Sequence, residues 1–416
     1  MFISPARVLR LLNRMGPLGL AKAAAQRYVS PLLARMVVRQ TRSAIRGFVG
    51  DAPNSAIIMI STLDWHFPYA QRVNHLADAF ARLGRKVVFV SPSHGYDGFF
   101  WHYLARENVL VVQNLDAALS SFDTVTVYLL STDNRFDERL LEKILQKGGT
   151  IIYDFVDAVH DAVANMPASD GRHRLHDQLL RNQEHCLCIA SADEILTEVT
   201  RFRETNYALV TNGVDTRHFM GARRHEGLRE DFAAIVAVGK PIIGYFGALA
   251  AWVDYDLLRR LAVEQPEVSV VIIGTDYDGT KQRLNGAPAN LYVLPPIPYD
   301  VLPRHALWFD VAMIPFIINE ITMATSPLKL FEYMALGLPT VSTDIPEARK
   351  YRSVVAARDH SEFVIQAMHL LGEAGSSYRQ DALREAAEND WIEKANTILA
   401  HLRRSPGQCA QSGDFS

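Results

Sequence analysis

The residues with the clearest chemical potential form the stretch Ser326-Pro327-Leu328-Lys329-Leu330-Phe331-Glu332. Ser326 is a suitable N-cap, Pro327 suits the first helical position and Gly337 suits a C-terminal stop, so the stretch predicts a short helix. The free amide N–H groups and the positive dipole end of such a helix start favour a phosphate. Lys329 is electrostatically misplaced in a first turn unless an anion is bound there.

Glu332 lies three positions after Lys329 and shares its helical face. Its carboxylate could accept hydrogen bonds from both hydroxyls of a ribose. The alternative is a surface ion pair between the two side chains, which is worth about 0.2–1 kcal/mol. Because the rest of the helix is nearly all apolar and is expected to be buried, the sequence favours the ligand site.

Two strand ends upstream of this helix carry small residues. Gly247 and Ala248 follow the apolar run 241–246, and Gly274 ends the next predicted strand. Small residues let a ligand approach the backbone, and we expect Gly274 to line a nucleotide base. The alternative at both places is a tight strand-to-helix turn. The Gly-x-Gly-x-x-Gly pattern of dinucleotide-binding proteins does not occur here.

Acids and histidines that end predicted strands or line loops in the first half of the chain are candidate catalytic groups on the side of a second substrate. They are Asp64, His66, Asp154, Asp157 and His160. Each such residue alone is more often a cap or a loop residue. Asp276-Tyr277-Asp278 matches the Asp-x-Asp pattern of a metal site, but it lies where the nucleotide base is expected. We therefore predict chemistry that needs neither a metal nor another cofactor.

Beyond residue 50, strand-like and helix-like segments alternate, which is typical of parallel sheets covered by helices. Two such series follow each other. The predicted fold class is α/β, with two tandem Rossmann-like domains and a basic helical N-terminal extension. The predicted divisions are 1–50 for the extension, 51–215 and 216–375 for the domains, 376–402 for a C-terminal helix packing back towards the N-terminal domain, and 403–416 for a disordered tail.

The composition is that of a globular protein, with 49% hydrophobic and 21% charged residues. No stretch approaches the roughly 20 uninterrupted apolar residues that a membrane-spanning helix needs, and no signal peptide is evident. Three cysteines give neither a disulfide framework nor zinc spacing. The sequence therefore indicates a reduced, cytoplasmic compartment, and no nucleic-acid partner is expected.

The first 50 residues differ in charge from the rest of the chain. They carry nine basic residues and no acid, while the whole chain has a net charge of -3, so the remainder carries -12. Apolar residues recur at helical spacing before residue 16 and again from Pro31. Basic amphipathic helices lie on anionic membrane surfaces, which favours a peripheral location on the inner face of the membrane. One alternative is a helical arm that packs on the folded part of the chain. The third interpretation is a cleaved organelle-targeting peptide.

Several further stretches match a known pattern in order and spacing. They are Asn212-Gly213-Val214-Asp215 with Phe219, Gly244-Tyr245-Phe246-Gly247, Ile297-Pro298-Tyr299, Asp310 through Phe316, Ser326 through Pro339, Asp64-Trp65-His66-Phe67 with Gln71-Arg72, and Tyr153 through Asp157. With them the chain resembles the retaining, family-four-like glycosyltransferases of the glycosyltransferase-B fold, most closely their teichuronic-acid-biosynthesis-like branch. The resemblance covers residues from about 55 to about 400.

The resemblance implies a hexosyltransferase-like enzyme of cell-envelope or polysaccharide biosynthesis. Its donor would be a nucleotide-diphosphate sugar bound by the second domain, with the phosphates at Lys329 and the amides after Ser326 and the ribose at Glu332. A saccharide or lipid-linked acceptor would bind the first domain. Members of the family usually carry two glutamates eight positions apart. Glu332 matches the second of them, but the position of the first is Ala324 in this chain. Glu320, in a nearby loop, is the candidate substitute.

Two other functions fit the same sequence. A sugar-nucleotide epimerase could use the same fold and donor site, but it would consume no second substrate. A membrane-docked binding protein without catalysis is suggested by Ala324 and the basic N-terminal arm. Transfer or hydrolysis of the donor, even if slow, would exclude this last function.

Overall fold

The structure is a computed structural model that describes residues 31–50, 56–68, 70–92, 95–98, 101–132, 136–156, 170–224, 227–372 and 376–404. The chain forms two compact units. Unit 1 takes the described residues up to Ile189, then Val199–Ala208 and the described residues from Ile398. Unit 2 takes Ala190–Glu198 and Leu209–Thr397. The predicted tandem α/β architecture is confirmed.

The first sheet has eight strands in the order β3-β4-β2-β1-β5-β6-β7-β8. Its strands are β1 Ile57–Ile60, β2 Val87–Val90, β3 His102–Arg106, β4 Val109–Val112, β5 Thr126–Leu130, β6 Thr150–Phe155, β7 Cys186–Ala190 and β8 Tyr207–Leu209. The helices of this part are α1 Pro31–Val49, α2 Arg72–Arg82, α3 Leu115–Leu119, α4 Glu138–Gln146, α5 Asp170–Arg181 and α6 Asp193–Phe202. The strand β1 pairs in parallel with β2 and β5, whereas β3 is antiparallel to β4.

The second sheet has six parallel strands in the order β11-β10-β9-β12-β13-β14. They are β9 Ile242–Phe246, β10 Ser269–Ile273, β11 Leu291–Leu294, β12 Val311–Ile314, β13 Thr340–Thr343 and β14 Val354–Ala357. The helices are α7 Thr216–Met220, α8 Glu230–Ala237, α9 Tyr255–Glu264, α10 Leu302–Ala306, α11 Glu320–Met323, α12 Leu328–Leu336, α13 His360–Gly372, α14 Ser376–Glu388 and α15 Trp391–Arg404.

The strand order of unit 2 determines where a ligand can bind. The strand β9 lies between β10, which follows it in the chain, and β12, which comes later. Strand order therefore reverses between β9 and β12, and the loops at the carboxyl ends of these strands diverge to opposite faces of the sheet. Ligands of open parallel sheets bind at such a switch point.

The helix α1 is part of unit 1 and packs on α3 and β4. Its side chains at positions 41, 45 and 49 are buried at helical spacing, with Ile45 wholly inaccessible, and Arg42 donates a hydrogen bond to the carbonyl of Ser120 at 3.1 Å. For residues 35–50 the packed-arm alternative is thus the observed one. Residues 1–30, which hold the other predicted amphipathic segment, lie outside the described residues.

The predicted closing helix at 376–402 is two helices, and the first of them, α14, packs on α12 within unit 2. The chain bends at Asn389 and Asp390, where the amide of Val214 donates to the Asn389 carbonyl at 3.0 Å. A Cβ on Gly213 would lie 2.4 Å from that carbonyl oxygen, so a glycine is required at this approach. Within the described part of the chain, no helix is long and apolar enough to cross a membrane.

We predict that Ile45→Ala destabilises the protein by about 2–5 kcal/mol, because it empties a filled position between α1 and the body of unit 1. Arg39→Ala, on the exposed face of the same helix, should change the free energy of unfolding by no more than about 0.5 kcal/mol. Urea unfolding of both variants measures the difference. Equal stabilities would show that α1 is not part of the folded unit in solution.

Candidate functional site

The helix α12 begins at the carboxyl edge of the second sheet, and its first turn has no side-chain cap. The N-cap residue is Pro327 and the first helical residue is Leu328, one later than the sequence predicts. The predicted cap, Ser326, is instead buried, and its Oγ accepts a hydrogen bond from the Asn212 amide at 3.1 Å. Asn212 Nδ2 also donates to the Ser326 carbonyl at 2.5 Å. Among the described residues, the Leu330 amide donates to the Pro327 carbonyl at 3.1 Å, whereas the amides of Leu328 and Lys329 have no partner and stay available to a ligand.

The side chain of Lys329 lies across the backbone of Gly247. A Cβ built on Gly247 would stand 2.6 Å from Lys329 Cε. The ammonium group is 5.0 Å from the ring centroid of Phe316 and 5.2 Å from that of Tyr245. Two aromatic rings thus hold this cation, and among the described residues no carboxylate forms an ion pair with it.

Lys329 and Glu332 are desolvated close to each other without forming a salt bridge. Burial lowers the pKa of Lys329 to about 8, although the charge of Glu332 acts in the opposite direction. Burial likewise raises the pKa of Glu332 to about 7 against the effect of Lys329. Glu332 is 8% exposed, so the alternative of a solvated surface pair is excluded. Charged groups held in this way favour a ligand that replaces lost hydration.

Tyr299, from the matched stretch Ile297-Pro298-Tyr299, lies close enough to Glu332 to be affected by its charge. Burial first, and the charge of Glu332 second, raise the pKa of Tyr299 well above its usual value. The ring of His218 stacks on Tyr299 with centroids 4.8 Å apart, and His218 Nε2 lies 2.9 Å from the Tyr299 carbonyl oxygen.

The small residues predicted to admit a ligand meet at this edge of the sheet. Gly247 has φ +144°, a conformation that favours glycine, and its amide donates to the Ile273 carbonyl at 2.9 Å. A Cβ on Gly274 would lie 1.8 Å from the Gly247 carbonyl oxygen, so contact between the two loops already requires that glycine. The carbonyl of Ala248 accepts a hydrogen bond from Tyr245 at 2.9 Å.

On unit 1, Asp64 and His66 differ sharply in their surroundings. Asp64 is fully buried, and its carboxylate accepts hydrogen bonds from Ser91 Oγ at 3.0 Å and the Tyr96 amide at 2.8 Å. Asp64 therefore joins the loop after β1 to the loop after β2. The side chain of His66 is 60% exposed, and its Nδ1 lies 2.9 Å from Asp97 Oδ1.

Of the other residues singled out from the sequence, the structure describes Asp154, Glu320, Asp276 and Asp278. Asp157 and His160 fall outside the described residues, and Glu320 is exposed at the start of α11. Asp154 is buried and accepts hydrogen bonds from Arg72 and Tyr128. The carboxylates of Asp276 and Asp278 accept hydrogen bonds from backbone amides, some in their own loop and one in the neighbouring loop.

Sequence reasoning missed the partners that orient these residues. Asp97 stands seven residues beyond the end of β2, and only its place after a strand could have indicated it. Tyr245 and Phe316 belong to predicted strand ends, and their contact with Lys329 depends on tertiary structure. Tyr333 also escaped notice, although its hydroxyl accepts the Phe246 amide at 3.0 Å and ties α12 to β9.

Residues 240–373 match the sequence family described as "Glycosyl transferases group 1". A protein of Bacillus subtilis (strain 168), assigned to teichuronic acid biosynthesis as glycosyltransferase TuaH, is 26% identical over 159 residues. The match covers 36% of this chain and 40% of that protein, so it spans less than half the length of this curated relative.

Solved structures resemble a much larger part of the chain. Sucrose-phosphate synthase from Thermosynechococcus elongatus has a TM-score of 0.63 at 12% identity, over 84% of this chain and 98% of that one. Anabaena HepE in complex with UDP-glucose has a TM-score of 0.60 at 14% identity, over 84% and 99%. Trehalose 6-phosphate synthase from Burkholderia multivorans has a TM-score of 0.61 at 13% identity, over 87% and 99%. The chain has the glycosyltransferase-B fold, as predicted.

We predict that affinity for inorganic pyrophosphate falls by about tenfold between pH 7.5 and 9.5, measured by calorimetry. The pKa of Lys329 is about 8, so its ammonium form is lost as the pH rises through that value, while a bound anion favours the protonated form. The variant Lys329→Met serves as control, since ionisation of pyrophosphate itself affects both proteins equally. An identical fall in the variant would show that Lys329 does not carry the anion.

Proposed function

We propose that this chain, which carries a group 1 glycosyl transferase segment on a glycosyltransferase-B fold, moves a sugar from a nucleotide-diphosphate sugar to a hydroxyl acceptor. The observation that carries the proposal is the start of α12. Its first turn has no side-chain cap, and Lys329 presents a desolvated cation held by aromatic rings, with no carboxylate of the described ranges paired with it.

In this proposal the donor diphosphate binds the amides of Leu328 and Lys329 and the ammonium group of Lys329. Glu332 accepts the ribose hydroxyls, while Gly247 and Ala248 leave room for the donor against the backbone. When the glycosidic bond to the diphosphate breaks, negative charge develops on the leaving oxygen. Helix dipole and ammonium are aimed at that oxygen, which is how a fixed site stabilises a departing anion.

Comparable proteins suggest which donors to test first. Structures of Anabaena HepE contain UDP-glucose, or UDP and glucose, and the Escherichia coli trehalose-6-phosphate enzyme was solved with UDP-2-fluoro glucose. TuaH is assigned to teichuronic acid biosynthesis. We therefore propose a UDP-sugar donor, a saccharide or lipid-linked acceptor, and a place in cell-envelope or polysaccharide biosynthesis.

The resemblance to retaining enzymes supports two finer proposals, retention of anomeric configuration and independence from metals. Supporting the second, Asp276 and Asp278 already accept backbone amides, and Lys329 occupies the place where a cation would offset diphosphate charge. Retention is proposed with Ala324 in place of the usual glutamate. Nuclear magnetic resonance of the product anomer and activity in EDTA test them separately.

We predict that Lys329→Met weakens binding of both UDP and inorganic pyrophosphate by about 1.5–3 kcal/mol, because it removes the charge and keeps the bulk of the side chain. Glu332→Gln should weaken UDP only, since pyrophosphate has no ribose. Lys240→Met, at the opposite end of β9, is the matched control and should bind both as well as the unaltered protein. Calorimetry on the four proteins measures these affinities.

Unchanged UDP affinity in both site variants would remove the donor-site assignment. Turnover of UDP-sugars with and without acceptors then identifies the reaction. A transferase consumes acceptor and releases UDP, an epimerase changes the sugar without an acceptor, and a binding protein leaves the donor intact.

We also propose that the basic N-terminal segment docks the enzyme on an anionic membrane surface, with the enzyme otherwise in the cytoplasm. Arg35, Arg39 and Arg46 are exposed on α1, which is itself packed on unit 1. Each basic residue near an anionic surface contributes about 1 kcal/mol, and the body of the chain, with its opposite charge, would be repelled.

We predict that deletion of residues 1–30, which spares α1, abolishes sedimentation with phosphatidylserine vesicles and leaves UDP affinity unchanged. Binding by the full chain should weaken as salt rises to 1 M, where the Debye length is about 3 Å. The triple variant Arg35→Glu, Arg39→Glu, Arg46→Glu tests the exposed face of α1 within the full-length protein. Vesicle binding that survives both changes would assign another role to the arm.

A further inference from the structure

The carboxyl-terminal end of the helix α12 borders a cavity within unit 2. The helices α7, α12 and α14 pack on one another, and the cavity lies beside them at the amino edge of the second sheet, where Phe309 and Leu338 precede β12 and β13. Its volume is about 880 Å³, within the range of about 300–1,000 Å³ that small-molecule sites occupy. Because α12 has nine residues, about 13 Å of helix separates this cavity from the proposed donor site at its other end.

Most of the cavity lining is apolar. It includes the buried side chains of Phe309 and Leu336 and the half-buried side chains of Met220, Leu307 and Leu383. Half-buried apolar surface still contacts water, and covering it with a hydrocarbon chain is favourable in proportion to the area removed from water. The cavity therefore suits an aliphatic ligand.

Three exposed arginines line the same cavity. They are Arg223, Arg224 and Arg379. Arg223 Nη1 donates hydrogen bonds to two backbone carbonyls at the end of α7, at 3.2 and 2.8 Å. Arg224 Nε donates to the Leu307 carbonyl at 2.9 Å, and its guanidinium group lies 4.9 Å from the centroid of the Trp308 ring. A Cβ on Gly337 would lie 2.9 Å from Arg379 Cγ, so the aliphatic stem of this arginine lies against the end of α12.

These contacts leave most of the guanidinium donors unused. A guanidinium group has five N–H donors, and the hydrogen bonds of Arg223 and Arg224 use one nitrogen of each. Among the described residues, no carboxylate forms an ion pair with any of the three arginines. Asp310 is the remaining charged residue of the lining, and its Oδ2 accepts the Ile242 amide at 2.8 Å. Three positive side chains and one negative side chain leave a net charge of +2 on the lining.

We propose that this cavity binds a lipid phosphate, with a hydrocarbon chain against the apolar lining and a phosphate monoester on the three guanidinium groups. Guanidinium groups bind phosphate oxygens through paired N–H···O hydrogen bonds. A phosphate monoester carries about −1.5 to −2 charges at pH 7, which balances the charge of the lining, whereas a carboxylate leaves an excess of positive charge. The cavity is thus a second ligand site of unit 2, separate from the proposed donor site.

The helix ends offer a different reason for these arginines. Carbonyls at the carboxyl-terminal end of a helix carry partial negative charge, and Arg223 and Arg379 lie at the ends of α7 and α12. That role needs no ligand and predicts only that the arginines stabilise the fold. The two roles differ in one observable, because only a site for a lipid phosphate makes phosphate affinity depend on an attached hydrocarbon chain.

The test measures binding of dodecyl phosphate to the full chain by calorimetry, below the concentration at which this compound forms micelles. Inorganic phosphate, which lacks the chain, and dodecyl maltoside, which lacks the charge, are the comparison ligands. Dodecyl phosphate should bind more tightly than either by about tenfold or more. The triple variant Arg223→Gln, Arg224→Gln, Arg379→Gln should lose about tenfold or more of that affinity. Arg384→Gln, which changes another exposed arginine of α14 outside the lining, should keep it within about twofold.

Ala387→Glu adds a carboxylate at an exposed position of the lining. It should weaken dodecyl phosphate binding by a similar factor and leave the midpoint of urea unfolding unchanged, so it decides the question if the triple variant is unstable. Lys329→Met, at the opposite end of α12, should not affect dodecyl phosphate. Equally tight binding of inorganic phosphate or dodecyl maltoside, unchanged affinity in Ala387→Glu, or loss of binding in Lys329→Met would overturn the proposal. None of these outcomes depends on the proposed transfer reaction.

Discussion

The proposed donor site depends on one tertiary contact, the pair of hydrogen bonds between Asn212 and Ser326. A serine before a helix usually caps the first turn. Here the Ser326 hydroxyl oxygen instead accepts a hydrogen bond from the amide of Asn212, which lies 114 positions earlier in the chain. In the described part of the chain, the amides of Leu328 and Lys329 at the start of α12 are left without an acceptor. Unpaired amides at a helix start favour an anion, so in the proposed site the contact that fixes the start of the helix also leaves these amides for the phosphate.

Burial of Lys329 and Glu332 extends this logic. An ion pair between them would have offset their loss of hydration, but such a pair would also compete with a ligand for both charges. Burial lowers the pKa of the lysine and raises that of the glutamate, and the charge of each acts against the shift of the other. Two unpaired charged groups at this position are less favourable than apolar ones of equal shape would be, which is a common cost of a functional site. Phe316 and Tyr245 reduce that cost through their ring faces.

The sequence predicted the layers of the fold well because parallel strands buried on both faces read as continuous apolar runs. It missed β3, an antiparallel edge strand whose residues alternate between exposed and half-buried and include His102 and Arg106. It merged the helices at the end of the chain because no proline or glycine marks the bend at Asn389. At the site, Lys329 and Glu332 could be found from spacing alone, whereas the role of Ser326 and the partner of His66 depend on contacts between distant residues.

The two units place different chemistry on the same kind of sheet edge. In unit 1 the strand β1 lies between β2 and β5, and in unit 2 the strand β9 lies between β10 and β12. The loops at the carboxyl ends of these neighbouring strands therefore diverge where β1 and β9 end. Unit 2 fills that edge with glycines, a cation and free amides, which suit an anion. Unit 1 fills it with buried carboxylates, of which Asp64 fixes the loops and Asp97 orients an imidazole. A buried carboxylate at this edge repels anions, so unit 1 is suited to neutral hydroxyl groups and unit 2 to diphosphate. The proposed division of donor and acceptor between the units agrees with this difference in charge, without reference to the identity of either sugar.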